Sequence, residues 1–294
     1  MSIMKIEFGY LPRRFNMKSG PISIETLPDL SEKISSIESD ERVYNGWLHI
    51  GCGSRVFGLP KTHYLCHEGC DDSAKIGFLV WGLSFFTGMR LTTTEAGFLD
   101  ATPIKMHSLV DFHTTDSTLG TALELCETFW NNNKHIEKHV KWWAAAVHAL
   151  FLSKNPKNLQ FESFILLYIA LDACAALTEP LRERKRPVHN KRIDWMCSEF
   201  GIPVPEWASL LKSENENESE RSTISVLRNA LIHEALFLDE PLGFALHGIG
   251  TNQNITLEMQ GLVCRLLVAL IGGGSADYIH TPVSTRMAYG LRLA

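Results

Sequence analysis

Positive charge is not in surplus in this chain: 28 Lys and Arg stand against 33 Asp and Glu, for a net charge of −5. That excludes a general electrostatic pull on nucleic acid, so any RNA-binding face must be a local patch. An even cysteine framework is missing too. The seven cysteines are odd in number, and Cys126, Cys174, Cys197 and Cys264 sit inside apolar runs, the pattern of free thiols in a reducing compartment. Long apolar runs are scarce: residues 77–89 span thirteen positions, 164–178 include Asp172, and 262–271 include Arg265. None reaches the roughly 20 residues of a spanning helix, and residues 1–10 lack the apolar centre of a signal peptide. A soluble, cytoplasmic protein with no membrane partner is expected. The chain has no Walker loop, serine-hydrolase elbow or dinucleotide fingerprint, and Gly51-Cys52-Gly53 is too short to cradle a phosphate. It has no internal repeat and no extended low-complexity region.

Apolar residues make up 45% and charged residues 21%, enough for a sizeable core in one large or two modest domains. Residues 1 to about 70 read as β-rich or irregular. The segments 4–10, 22–26, 43–50 and 54–58 are short, partly alternating and bounded by Pro, Gly or Asp. Residues 73–90 predict a helix weighted with Phe78, Trp81, Phe85 and Phe86, entered through Asp71 and Asp72 as N-terminal caps. Residues 92–115, with Gly97 and Pro103, read as a connection. Helices are then predicted at about 119–132, 135–153, 160–178, 190–200, 204–212, 222–238 and 255–271, the last ended by Gly272-Gly273-Gly274. Trp130, Trp142 and Trp143 among charged residues mark partly covered bundle helices. The expected fold class is α+β: a β-containing N-terminal domain over 1–115, assigned a sensing or regulatory role, then an all-α domain over 116–294. The tail from 275 to 294 carries no diagnostic pattern.

Within the helix predicted from about 223 to 237 lies Arg228-Asn229-Ala230-Leu231-Ile232-His233. Ile224, Leu227, Leu231 and Ala235 form one apolar stripe at helical spacing, and Val226, Ala230 and Phe237 form a weaker second strip. A helix apolar on two sides is expected to be buried against more than one neighbour. Asn229 and His233 are four apart and share a face, and Arg228 at the border of the main stripe is long enough to reach around. Burying Arg and His is unfavourable unless partners or a ligand compensate.

Arg, a polar residue, three more residues and then His, late in an all-helical region, resembles the signature of HEPN domains. The resemblance covers roughly residues 119–274. The apolar helix around Phe164, Leu167, Leu171 and Asp172 also resembles the long core helix of such domains. What the resemblance implies is an all-α bundle acting as a metal-independent endoribonuclease, without a cofactor. Two motif helices would meet across a homodimer, in prokaryotic antiviral defence or in toxin–antitoxin growth arrest, with an antitoxin or sensor as a further partner. It places Arg228, Asn229 and His233 at the catalytic positions. The alternative it leaves open is a non-catalytic HEPN-like module that binds RNA or protein. Cleavage needs a base for the 2′-hydroxyl proton and an acid for the departing 5′-oxygen. His serves either role, its ordinary pKa being about 6.5. Arg suits the charge on the phosphorane, and Asn can orient the imidazole or hold a phosphate oxygen. One chain supplies one such His, so a two-His site calls for two copies. The second apolar strip is the expected contact between them.

Two charged runs flank this region. Residues 182–192 carry six basic side chains against one acid, making Arg184, Lys185 and Arg186 the expected RNA contacts. A solvated linker, pairing loosely with the acidic run 213–220, explains the same charges. A second Arg-to-His spacing, Arg184 to His189, is interrupted by Pro187 and is not expected to form a helical motif. His63-x-x-Cys66-His67-x-x-Cys70, with Cys52 upstream, offers soft ligands for zinc. Its spacing is not that of a standard finger, and an incidental turn between strand and helix is the favoured explanation. A zinc-dependent recognition domain is the third functional class it would imply. His135 and His139, predicted four apart on one helix, read as surface histidines, and Glu234 reads as structural or surface.

Overall fold

The computed structural model describes residues 3–50, 58–94, 99–211, 221–233, 255–284 and 287–293. Its class is α+β, with strands concentrated toward the N-terminus and helices after them. In chain order come β1 (Ile3–Phe8), β2 (Met17–Ser19), β3 (Ile22–Thr26), α1 (Leu30–Glu38), β4 (Val43–Tyr44), β5 (Trp47–His49), β6 (His63–Glu68) and α2 (Ser73–Thr87). The segment expected to be a bare connection contains β7 (Ala101–Pro103) and β8 (Phe112–His113). The helical part follows as α3 (Asp116–Asn133), α4 (Glu137–Ser153), α5 (Gln160–Arg182) and α6 (Arg192–Phe200). After these come the short pair β9 (Leu210–Leu211) and β10 (Arg221–Ser222), then α7 (Thr223–His233), α8 (Ile255–Val268) and β11 (Tyr289–Gly290).

Strands β1, β6, β3 and β2 form an antiparallel sheet in that order. Alternation sets its two faces: Phe8, Ile22, Ile24 and Leu65 are buried on one side, with Ile6 and Ile24 both opposite Leu65. The turn expected between strand and helix is corrected here, because most of the His63–Cys70 stretch is the inner strand β6. His63 and His67 point into the core and Cys66 to the opposite face, so the strand itself separates them. Among the described residues no three His, Cys, Asp or Glu side chains gather as a metal would require. Cys52 and the segment expected at 54–58 lie almost wholly outside the described residues. His63 stacks on Phe8 at 5.5 Å, its Nδ1 lies 2.9 Å from the Thr62 hydroxyl, and burial lowers its pKa to about 4.

His67 ties the sheet to the helices. Its Nε2 lies 2.9 Å from a Glu127 carboxylate oxygen on α3 that also accepts from Lys75 Nζ of α2 at 2.7 Å. Burial pushes the Glu127 carboxyl up, but the hydrogen bonds from Lys75 and His67 outweigh it and hold the group below its ordinary range.

Helix α2 is apolar nearly all round, so it runs through the interior rather than across its surface. Asp72 caps it as the sequence predicts, accepting from the Ala74 amide at 2.9 Å. Gly88 ends it at φ 62°, where a Cβ would meet the His107 Cα at 2.6 Å. One continuous buried cluster joins Phe8, Ile24 and Leu65 of the sheet to Phe85 of α2 and onward to Trp143, Leu171 and Leu262. All six described cysteines are free, and Cys126, Cys174, Cys197 and Cys264 are buried.

Two helices exceed the lengths expected from sequence. By length and composition alone, Gln160–Arg182 and Ile255–Gly273 are long and apolar enough to cross a membrane, but 56% and 83% of those windows are buried inside the chain. They pack on each other, with α5 also against α4, as core helices do. Helix α8 continues as a π turn over Ala269–Gly273, broken at Gly272 (φ 112°), a conformation that favours glycine.

Two further expectations are corrected, and the tail, which carried none, finds its place. Residues 204–211 are not a helix. Pro203 and Pro205 hold the backbone extended, and only a 3-10 turn, Glu206–Ala208, forms before β9. His135 and His139 do not share a helix, since α4 begins at Glu137. His139 is buried, not superficial, with its Nδ1 2.9 Å from Asn133 Oδ1. The tail is part of the core: Tyr278, Ile279 and Leu291 are buried, and β11 pairs in parallel with β8.

Candidate functional site

The chain enters α7 from β10, which pairs antiparallel with β9 so that Ser222 lies opposite Leu210. Ile224 and Leu227 of the main stripe are buried, and the helix packs on the 3-10 turn Glu206–Ala208. That turn is itself anchored, its Trp207 Nε1 donating to Glu258 Oε2 on α8 at 2.8 Å. Of the second strip, Val226 is 47% exposed, while the Ala230 side chain and Phe237 lie outside the described residues.

Arg228 reaches around the helix as its length allows. Its Nη1 donates to Asn229 Oδ1 at 3.0 Å, and its guanidinium lies 5.8 Å from the centre of the Tyr168 ring on α5. One turn along α5, Asp172 Oδ1 accepts from Arg192 Nη1 of α6 at 2.7 Å. Arg192 Nε in turn donates to the Pro187 carbonyl at 3.3 Å, fixing the approach to the 3-10 turn His189–Lys191, on which α7 also packs. Arg228, Arg192 and Asp172 thus all act electrostatically on Tyr168 and on the exposed imidazole of His189. Burial and the Asp172 charge raise the Tyr168 phenol pKa, against the opposing pull of Arg228 and Arg192, so it stays a neutral hydroxyl at neutral pH.

Of the three motif residues, Arg228 and Asn229 are brought into direct contact. His233 is the last residue of α7; its side chain, with residues 234–254 (Glu234, Ala235 and Phe237 among them), lies outside the described residues. By backbone position it stands four residues after Asn229, on the same face.

The basic run is divided among partners in its own chain. Arg184 Nη1 pairs with Glu199 at 2.9 Å, and Arg186 Nε with Glu179 at 3.7 Å. Arg182 covers the Phe200 ring at 4.5 Å, and Lys185 is exposed. The acids that meet these arginines are on α5 and α6, whereas the acidic run 213–220 lies outside the described residues. Sequence reasoning missed Tyr168, Asp172, His189 and Arg192. The spacing of Tyr168 and Asp172, one turn apart on a mostly apolar helix, was the available signal.

Comparison with models of protein families, with curated proteins and with solved structures finds no match to this chain.

Proposed function

We propose that this protein is a metal-independent endoribonuclease of HEPN type, using Arg228, Asn229 and His233. The single observation that carries this is the Arg228–Asn229 pair, held 3.0 Å apart on α7, with the Arg192–Asp172 pair on the neighbouring α6 and α5. A phosphodiester is the ligand these guanidiniums suit, since a guanidinium binds phosphate oxygens in a planar fork. His233, on the Asn229 face, supplies the proton transfer. RNA cutting in the cytoplasm, in antiviral defence or restrained by an antitoxin, is the setting that follows from the HEPN resemblance.

The test is incubation of purified protein with labelled single-stranded RNA and tRNA in EDTA. Fragments ending in 2′,3′-cyclic phosphate are the expected product; RNA bound but left whole would favour the non-catalytic binding module instead.

The ion pairs of Arg184 and Arg186 set the expectation for the basic run. Neutralising Arg184, Lys185 and Arg186 together should weaken RNA binding and lower the slope of log K against log salt by at most about 2, three single-strand contacts' worth. The affinity gained from Arg184 and Arg186 is reduced by the ion pairs they must give up. An unchanged slope would make the run a linker.

For a homodimer through the second strip, the supporting observation is the exposure of Val226, an apolar side chain beside the motif face. Val226→Asp should convert a dimer to monomer in sedimentation at micromolar concentration. Because the side chain is exposed, the melting temperature of the subunit should stay within about 1–2 °C of wild type, as surface changes usually do. A dimer that survives the substitution places the contact elsewhere.

A further inference from the structure

We infer that His189 is the second acid–base group of the same site, contributed by the same chain as Arg228 and positioned to accept the 2′-hydroxyl proton of the RNA. The inference rests on the ribonuclease reading of α7. It departs from the expectation that a second imidazole must come from another copy.

The placement of His189 is built by three elements. The 3-10 turn His189–Lys191 leads directly into α6, and Arg192 at that junction is fastened twice, to the Pro187 carbonyl at 3.3 Å and to Asp172 of α5 at 2.7 Å. Helix α7 packs against the same turn, and Arg228 lies over Tyr168, one turn from Asp172 on α5. His189 thus lies on a turn that α7 packs against, within electrostatic reach of Arg192, Asp172 and Arg228. It remains exposed, so a bound RNA strand can reach the ring without displacing protein. Pro187 keeps the run out of a helix, and the turn that follows is one on which α7 packs.

The charges around the ring decide which role it takes. Burial and the cations Arg192, Arg228 and Arg186 lower its pKa, with the Asp172 carboxylate opposing them. A lowered pKa leaves the imidazole unprotonated at neutral pH, able to accept a proton. In the reaction His189 takes the proton from the 2′-oxygen, which attacks the adjacent phosphorus. The phosphorus–O5′ bond breaks, and O5′ receives a proton from the His233 imidazolium. The products are a 2′,3′-cyclic phosphate and a free 5′-hydroxyl, and the two imidazoles recover their starting states by exchange with water. Arg228 and Arg192 are the guanidiniums that would face the phosphorane oxygens.

The experiment compares wild type, His189→Ala, His189→Asn and His233→Ala in single-turnover cutting of labelled RNA across pH 5 to 9, with melting curves for each. His189→Ala and His189→Asn should each lower the rate by roughly 10²–10⁴-fold and abolish the limb that rises with pH. Melting should be unchanged, and added imidazole should partly restore the alanine variant. Imidazole rescue is the readout that a packing role for His189 would not produce. If His233→Ala is inactive while both His189 variants keep the wild-type rate and pH profile, this inference is overturned and the ribonuclease reading stands. If wild type itself cuts no RNA in vitro and is harmless when expressed in cells, the ribonuclease reading is overturned and this inference with it.

Discussion

His233→Ala is expected to abolish RNA cutting, lowering the single-turnover rate by roughly 10²–10⁴-fold while leaving helix content and oligomeric state as they are. Cleavage without a metal needs a group at the 5′-oxygen that is protonated before the bond breaks, and an imidazole near its ordinary pKa of about 6.5 can supply it. Helix α7 carries one histidine, and it falls on the face of Asn229, whose amide oxygen already accepts from Arg228. Asn229 can therefore orient both the guanidinium and, four residues on, the imidazole. Removing the ring leaves the phosphate contact intact, so binding of uncut RNA should change by less than about threefold. The rate loss then lies in the chemical step. Arg228→Lys gives the complementary result: an ammonium keeps the charge but cannot bond Asn229 and hold a phosphate in one planar fork, so both binding and rate should fall. The measurement is cleavage in EDTA with circular dichroism and sedimentation as controls. A His233→Ala protein that cuts at the wild-type rate would remove α7 from the chemistry.

The parts of the structure readable in the sequence are those where one element carries its own signal. Apolar spacing located α3, α4, α5 and α8 to within a few residues, because each helix must cover its own stripe. Asp72 announced the start of α2, and Gly272 the end of the long last helix. The main misreading was β6. His63 and His67 occupy inward positions in a strand where Val or Ile would have shown the alternation, and their polarity, with Cys66 between them, mimicked a ligand cluster. Their burial is acceptable only because Thr62, Glu68 and Glu127 supply hydrogen-bond partners, and sequence spacing shows none of these. Helix α1 went unread because its nine residues carry only Leu30, Ile34 and Ile37 as a stripe.

The candidate site divides in the same way. Arg228 and Asn229 are neighbours in sequence and in space, so the motif was visible. Tyr168, Asp172, His189 and Arg192 come together only when α5, α6 and α7 pack, and each has an ordinary explanation when met alone. His189 was set aside because Pro187 forbids a helical motif there, yet the turn that follows is one on which α7 packs. A residue pair rejected as a helix motif can still meet through tertiary packing.

Arg265→Met should destabilise the whole chain by about 3 kcal/mol, the scale for breaking a buried charge pair from one side, and lower the melting temperature by about 6–12 °C. Arg265 is fully buried, and its guanidinium is saturated. Nε donates to the Thr281 carbonyl at 2.8 Å, Nη1 to Asp111 at 2.9 Å and to the Gly261 carbonyl at 2.7 Å, and Nη2 to the Thr281 hydroxyl at 2.8 Å and the Pro282 carbonyl at 3.2 Å. The Tyr278 hydroxyl donates to the other oxygen of Asp111. One side chain on α8 thus fastens the C-terminal segment to the start of β8. Methionine fills most of the volume but leaves a carboxylate and three carbonyls without their donor. Asp111, 31% exposed, can recover water, which keeps the loss near the lower end of the range for buried pairs. The loss should be uneven: amides such as Tyr289 and Leu291, which donate to Asp111 and His113, should exchange with solvent far faster than those of α5. Replacing Asp111 by leucine in the same protein should recover part of the stability, since the stranded carboxylate goes with it. Urea unfolding and hydrogen exchange of the three proteins decide the matter. A single Arg265→Met substitution that melts within about 1 °C of wild type would show that the network contributes nothing beyond the packing around it.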